Sequence, residues 1–144
     1  MNSRLDALQA AILQVKFQHL ADWTIKRQKN ADSYRQLFYE HGLDEQVTLP
    51  VVGSGNIHVY NQFTIRTPKR DVLSAYLTEK GIGNRIYYPV PLHLQECYDT
   101  LGYHKGDFPV AERAAQEVLS LPIYPELTHD QLAYVVQTIK QFFD

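Results

Sequence analysis

Hydrophobic and polar residues in the N-terminal part of the chain follow the pattern of one long helix. No proline or glycine precedes Gly42, and strong helix formers dominate the first half of that segment. Ser3, with Asp6 three residues later, resembles a capping box. Gly42 stands where a helix would end in the left-handed conformation. The spacing therefore predicts a helix over residues 3–41.

The first half of this helix is apolar on more than one side. Helical spacing groups its apolar side chains into two stripes, Leu5, Leu8, Ile12 and Val15 on one and Ala10, Leu13, Phe17 and Leu20 on the other. Residues 3–41 would span about 58 Å, whereas a compact domain of 144 residues is about 37 Å across. We therefore expect a surface outside this chain to cover part of the helix, even if a hinge opens near Trp23–Lys29.

Shorter elements follow the long helix. Periodicity and turn residues predict strands at 47–52, 58–67 and 82–88, an extended piece at 120–123, and helices at 70–80, 94–101, 109–119 and from Thr128 onward. Asp107 and Thr128 are placed to cap the last two helices, and Gln131 completes a capping box with Thr128. The pattern predicts one α/β (α+β) domain over residues 1–144. Its long N-terminal helix precedes a three- to four-stranded, mostly antiparallel sheet with packed helices.

Composition narrows the function classes. The chain has 14 Lys and Arg against 16 Asp and Glu, and its net charge of −2 offers no general attraction to nucleic acid or acidic membranes. No helix-turn-helix with a basic recognition helix is evident. Cys97 is the single cysteine, so no intrachain disulfide can form and a reducing compartment is expected. No apolar run approaches the roughly 20 residues that span a bilayer, and the expected location is cytoplasmic.

Two segments carry candidate chemistry. The run from Tyr87 to His93 places two phenols and an imidazole around two prolines, which stiffen the chain. It is either a rigid surface turn or a binding loop. The helix start offers Asn2 and Arg4 to an anion, although a residue in that place often serves only as the cap. The six histidines show no metal-ligand spacing, so no metal site is predicted.

Several segments together resemble the C-terminal part of the sugar aminotransferases of the DegT/DnrJ/StrS family. They occur in the family's order and extend over essentially the whole chain. They are Asn2–Leu13, His58–Arg66, Gly81–Gly83 with Tyr87–His93, Phe108–Glu112 and Leu119–Ile123.

The resemblance implies a fold type I aminotransferase that uses pyridoxal 5′-phosphate (PLP) and works as a homodimer. Such enzymes move an amino group from glutamate to a keto group on a nucleotide-linked sugar. This chain would then be the small C-terminal domain with its connecting helix at 3–41. The large PLP-binding domain, which carries the Schiff-base lysine, would be absent. No catalytic residue is therefore assigned, and the isolated chain is expected to be inactive, whether as a truncated gene product, a split reading frame or an excised fragment.

Few individual residues carry over from the family. Asn2 matches an asparagine that reaches the cofactor phosphate of the neighbouring subunit, and Arg4 is either a phosphate neighbour or part of a structural ion pair. Tyr88 and His93 fall in the segment that lines the sugar-nucleotide entrance, so both are expected substrate contacts. The family often has histidine where Asn61 stands. The alternative to an aminotransferase portion is a free-standing, non-catalytic module that binds a small molecule or regulates.

Overall fold

A computed structural model describes residues 4–144 as one layered arrangement of helices around a small sheet. Met1, Asn2 and Ser3 lie outside the described residues. In chain order the elements are α1 (Ala7–Phe17), α2 (Leu20–Glu40), β1 (Phe63–Arg66), α3 (Arg70–Glu79), two 3₁₀ turns (Leu92–Leu94 and Glu96–Leu101), α4 (Pro109–Glu117), β2 (Val118–Leu121) and α5 (His129–Phe143). None of these helices is long and apolar enough to cross a membrane.

The predicted single helix over 3–41 is two helices. Helix α1 begins after Asp6, whose Oδ1 accepts the Gln9 N–H at 2.8 Å, so Asp6 takes the capping role expected of Ser3. The break falls at Gln18 and His19, where the His19 N–H turns back to the Lys16 carbonyl. The alternative hinge at Trp23–Lys29 is wrong because that segment lies within α2. The break separates a helix that has no buried residue from one that is anchored in the core.

Both apolar stripes of α1 are exposed. Helix α1 contains no buried residue, and Leu8 and Phe17 expose 72% and 75% of their surface. Leu20 and Ile25, at the start of α2, are also about half exposed. Single exposed apolar residues are ordinary, but a continuous apolar helix surface of this kind marks an interaction site. Within residues 4–144, nothing covers it.

The hydrophobic core lies between α2, α5, α3 and the sheet. The inner face of α2 contributes Ala31, Tyr34, Leu37 and Phe38, and α5 packs against it with Leu132, Val135, Val136 and Ile139. Strand residues Phe63, Ile65, Leu119 and Leu121 close the core from the sheet side. Tyr34 donates its hydroxyl to the Pro122 carbonyl at 3.0 Å, and burial raises the pKa of this phenol.

The sheet is antiparallel, as predicted, but narrower. Strands β1 and β2 pair with Phe63 opposite Leu121 and Ile65 opposite Leu119. The predicted strands at 47–52 and 82–88 are reduced to single bridges, Thr48 to Arg66 at one edge and Arg85 to Ser120 at the other. Prolines at positions 50 and 89 supply no N–H for a ladder, which limits both edges. The expectation of three or four strands is corrected to two strands with one bridge on each side.

The predicted strand at 58–67 is likewise shorter than expected, because its first half folds into a turn. Tyr60 has a φ of +47°, a conformation that cannot continue a β-ladder. The extended pairing begins only at Phe63.

Helix ends follow the local signals in two places out of three. Gly42 adopts a φ of +62°, and the Leu43 N–H bonds the Phe38 carbonyl, so α2 ends as predicted. Thr128 and Gln131 form the reciprocal capping box. The cap expected from Asp107 is wrong: its carboxylate accepts the His104 N–H at 2.7 Å.

A matched pair of phenylalanine substitutions tests where the core ends. Phe63→Ala removes a ring that is 0% exposed and should lower the free energy of unfolding by about 3–5 kcal/mol. Phe17→Ala removes an exposed ring and should change it by about 0.5 kcal/mol or less. Urea unfolding followed by circular dichroism measures both. Similar losses in the two variants would contradict the assignment of α1 to the surface.

Candidate functional site

A cleft of about 500 Å³ opens beside the Arg85 edge of the sheet, and we call it the sheet-edge cleft. One wall is the loop before β1, with Asn61 and Gln62, and the other runs from Gly81 to Tyr87 after α3. The segment Leu121–Ile123, at the end of β2, supplies an apolar floor. Pockets of this size, with an apolar base and a few polar groups, are typical of small-molecule sites.

The Asn61 wall is held in place by α2. The Nη1 group of Arg27 donates hydrogen bonds to the backbone carbonyls of Tyr60 and Asn61, at 3.2 and 3.3 Å. Arg35 donates to the Tyr60 hydroxyl, and the Tyr60 N–H donates to Nδ1 of His58 at 2.8 Å. These contacts stabilise the positive φ of Tyr60, a strained conformation for a buried aromatic residue. The loop therefore presents its amide side chains from a fixed backbone.

The two tyrosines of the aromatic loop occupy different places. Tyr87 lines the sheet-edge cleft, whereas Tyr88 is 73% exposed and does not line it. Both border a smaller cavity of about 240 Å³ between the loop and α4. Tyr88 thus lies at the rim next to the cleft, and Tyr87 is the phenol that borders it directly.

His93 faces α4. Its Nε2 lies 3.0 Å from Oε1 of Glu112, and its side chain is only 8% exposed. The same carboxylate oxygen accepts the N–H of Gly106 at 2.7 Å and that of Phe108 at 3.4 Å. The His93 ring also packs against Phe108, with ring centroids 4.8 Å apart. Glu112 therefore ties together the aromatic loop, the loop before α4 and the first turn of α4.

The hydrogen bonds to Glu112 change its acidity. The Gly106 N–H, followed by the contacts with His93 and Phe108, holds the pKa of Glu112 below its ordinary value, because each donor favours the ionised carboxylate. The geometry makes His93 a positioning residue for the aromatic loop.

Arg4 is not among the residues that line the cleft. Arg4 is exposed, precedes α1, and forms no ion pair within residues 4–144. Asn2 lies outside the described residues. Across the described part of the chain, no group of three or more His, Cys, Asp and Glu side chains is arranged to bind a metal ion.

Sequence reasoning missed the polar wall and the arginine of the cleft. Asn61 departs from a family histidine, Gln62 belongs to the family-like segment without an assigned role, and Arg85 lies in no quoted motif. The available signal was weak: Arg27 and Gln28 belong to a polar run that was interpreted as a possible hinge. In the structure this run holds the loop, since Gln28 donates to the His58 carbonyl at 3.0 Å.

Comparison with known proteins identifies relatives over nearly the whole chain. A model of the DegT/DnrJ/EryC1/StrS aminotransferase family matches residues 1–140. A pleiotropic regulatory protein of Geobacillus stearothermophilus is 51% identical over 142 residues, which are 99% of this chain and 38% of that protein. The dTDP-3-amino-3,4,6-trideoxy-alpha-D-glucose transaminase of Streptomyces venezuelae is 38% identical over 141 residues, or 98% of this chain and 36% of that enzyme.

Solved structures give the same result. S. venezuelae DesV, solved in complex with a ketimine intermediate, matches with a TM-score of 0.91 at 37% identity, over 99% of this chain and 38% of that one. NtdA of Bacillus subtilis, solved with bound cofactor PMP, matches with a TM-score of 0.80 at 28% identity, over 98% of this chain and 34% of that one. The chain spans about 38% of the length of the first curated relative. The fold expected from the sequence resemblance is confirmed.

The pKa direction of Glu112 gives a pH test. Because its folded pKa lies below its unfolded value of about 4.3, the ionised carboxylate stabilises the fold above that pH. This stabilisation is lost as the pH falls through the pKa that Glu112 has in the folded state. Glu112→Gln should therefore unfold at lower urea than the parent at neutral pH, and the difference should shrink in acid.

Glu96→Gln is the matched control, because Glu96 is an exposed carboxylate at the start of the second 3₁₀ turn. Its effect should be small at every pH. A difference between Glu112→Gln and the parent that is constant from neutral to acidic pH would contradict the role of the carboxylate.

Proposed function

Because the chain belongs to the DegT/DnrJ/EryC1/StrS aminotransferase family, we propose that it supplies the C-terminal portion of a PLP-dependent nucleotide-sugar aminotransferase. The amino group would pass from glutamate to a keto-sugar. The observation that carries this proposal is the alignment of 99% of the chain with 38% of a solved relative at a TM-score of 0.91. The rest of the machinery would lie on a large domain outside these residues.

The uncovered face of α1 supports a role in assembly. Its two stripes expose Leu8, Ile12, Leu13 and Phe17, each at 50% or more of its surface. Burying one such side chain is worth about 1.5–3 kcal/mol. A large domain or the second subunit of a homodimer would gain this energy by covering the helix.

The residues before α1 suit a cofactor phosphate. Arg4 carries a guanidinium without an ion pair in the described chain, two residues ahead of the Asp6 cap. A guanidinium binds phosphate through paired N–H groups, and the nearby helix N-terminus favours negative charge. We propose that Arg4, with Asn2, holds the phosphate of PLP in the assembled enzyme. PLP when bound supplies the electron sink for amino transfer.

The sheet-edge cleft would form one side of the substrate site. No lysine lines this cleft. We propose that this chain binds and orients the substrate, and that the Schiff-base lysine lies on the large domain. Tyr88 at the rim is the proposed substrate contact. His93 acts through Glu112, which keeps the aromatic loop against α4 and so fixes the rim.

A chimera tests the proposal. The C-terminal region of the S. venezuelae transaminase that aligns with this chain is replaced by residues 1–144. We expect a soluble protein with bound PLP, a glutamate-dependent change in cofactor absorbance and amino transfer to the keto-sugar. The matched control changes the cofactor-binding lysine of the host part to alanine and should lose all three signals.

A folded chimera that binds no PLP would contradict the proposal. So would a single lysine of the isolated chain that traps PLP with borohydride, because the proposal places that lysine outside these residues. Either result would favour a free-standing binding or regulatory module.

The assembly role predicts the behaviour of the chain on its own. With α1 uncovered, the chain should self-associate in light scattering. The double variant Leu8→Glu and Phe17→Glu should shift it toward the monomer, because both side chains lie on the exposed surface. Val72→Glu is the control, since Val72 is also exposed but lies on α3. A parent chain that remains monomeric at high concentration would contradict the role of α1.

A further inference from the structure

A row of polar side chains crosses the sheet on the face opposite the core. Ser120 pairs with Thr64 in β1, and their hydroxyl oxygens lie 2.8 Å apart. On its other side, Ser120 exchanges two backbone hydrogen bonds with Arg85, at 3.1 and 2.7 Å. Directly opposed residues of antiparallel strands point to the same face. Arg85 therefore shares the outer face with Thr64 and Ser120 and extends the row to the sheet-edge cleft.

Arg85 differs from the arginines that serve the fold. Arg35, Arg66 and Arg70 each form an ion pair with a carboxylate. Among the described residues Arg85 has neither an ion pair nor a side-chain hydrogen bond, and it is exposed. The residues that line the cleft include no Asp or Glu, so Arg85 gives this cavity a net positive charge.

The opposite wall adds neutral hydrogen-bonding groups. Asn61 and Gln62 line the cleft with side-chain amides, on a loop whose backbone is held by Arg27. Tyr60, next to Asn61, keeps its strained positive φ because these surrounding contacts hold its backbone in place. Backbone strain of this kind is concentrated at ligand-binding sites. A ligand would meet donors that need little further ordering.

We propose that the sheet-edge cleft binds an oxyanion, a carboxylate or a phosphate, through Arg85, with Asn61 and Gln62 as neutral donors. The planar guanidinium matches the two oxygens of either group. The cavity of about 500 Å³ leaves room beside the oxyanion for the rest of a larger molecule. Its source, an amino-acid donor or a nucleoside diphosphate, rests on the proposed function, whereas binding itself is a property of this chain.

The test is a titration of the full chain, in a buffer free of phosphate and carboxylate, with L-glutamate, uridine diphosphate and inorganic phosphate as separate probes. Amide chemical shifts of Asn61, Gln62 and Arg85 report binding. Arg85→Gln should weaken binding by about tenfold or more, the effect of losing a charge-assisted hydrogen bond. The affinity of Arg85→Lys should lie between those of the parent and Arg85→Gln, because lysine keeps the positive charge but lacks the paired N–H groups of the guanidinium.

Arg113→Gln is the matched control, because Arg113 is an exposed arginine on α4 that does not line the cleft. It should leave binding unchanged. Saturable binding of glutamate identifies a carboxylate ligand, and binding of the diphosphate or of phosphate identifies a phosphate ligand. Either supports the proposal if Arg85→Gln alone weakens it. No saturable binding of any probe, or equal loss in Arg113→Gln, overturns it.

Failure of this inference is distinguishable from failure of the proposed function. A chimera that transfers amino groups equally well with and without Arg85→Gln would leave the aminotransferase role intact and refute the oxyanion site. An inactive chimera, together with Arg85-dependent oxyanion binding by the chain, would refute the aminotransferase role and leave the oxyanion site intact.

Discussion

Tyr34 of α2 packs its ring against Phe63 of β1, with ring centroids 4.9 Å apart, and donates its hydroxyl to the carbonyl of Pro122 beyond β2. This one side chain joins α2 to β1 and to the segment that follows β2. The aromatic contact is surrounded by Phe38 and by apolar residues of α5, so water is excluded and the hydrogen bond to Pro122 is retained. Because this contact anchors the second half of α2, it also fixes the position of the turns that precede it.

The position of α2 connects the uncovered helix surface to the cleft. Its buried second half anchors the helix, and in its first half Arg27 and Gln28 hold the loop that carries Asn61. Helix α1 continues from the same end without a packing partner in the described chain. A surface that covered α1 would thus lie at the end of α2 that positions one wall of the cleft. The proposed assembly surface and the proposed ligand site would therefore both depend on α2.

Glu112 and Arg70 form several hydrogen bonds within the described chain, and they contrast with Arg85 at the sheet-edge cleft. Glu112 accepts hydrogen bonds from three segments, and its lowered pKa follows from them. Arg70 is buried beneath α4 and donates to the carbonyls of Ala115 and Val118. These groups hold backbone in place. Arg85 lies on the outer face of the sheet and has no ion pair or side-chain hydrogen bond among the described residues, and it is the charged group that we propose for ligand binding.

The sequence by itself determined the features that depend on neighbouring residues: the α2 end at Gly42, the capping box of Thr128 and Gln131, the two apolar stripes of α1 and the family resemblance. The tertiary structure decided the features that depend on distant partners. It turned Tyr60 out of the strand through contacts with arginines of α2, and it narrowed the sheet to two strands. It also brought His93 to Glu112 of α4 and Arg85 beside Ser120. The reason is physical: a cap or a stripe is set within one helical turn, whereas these partners lie up to dozens of residues apart and meet only when the core has closed.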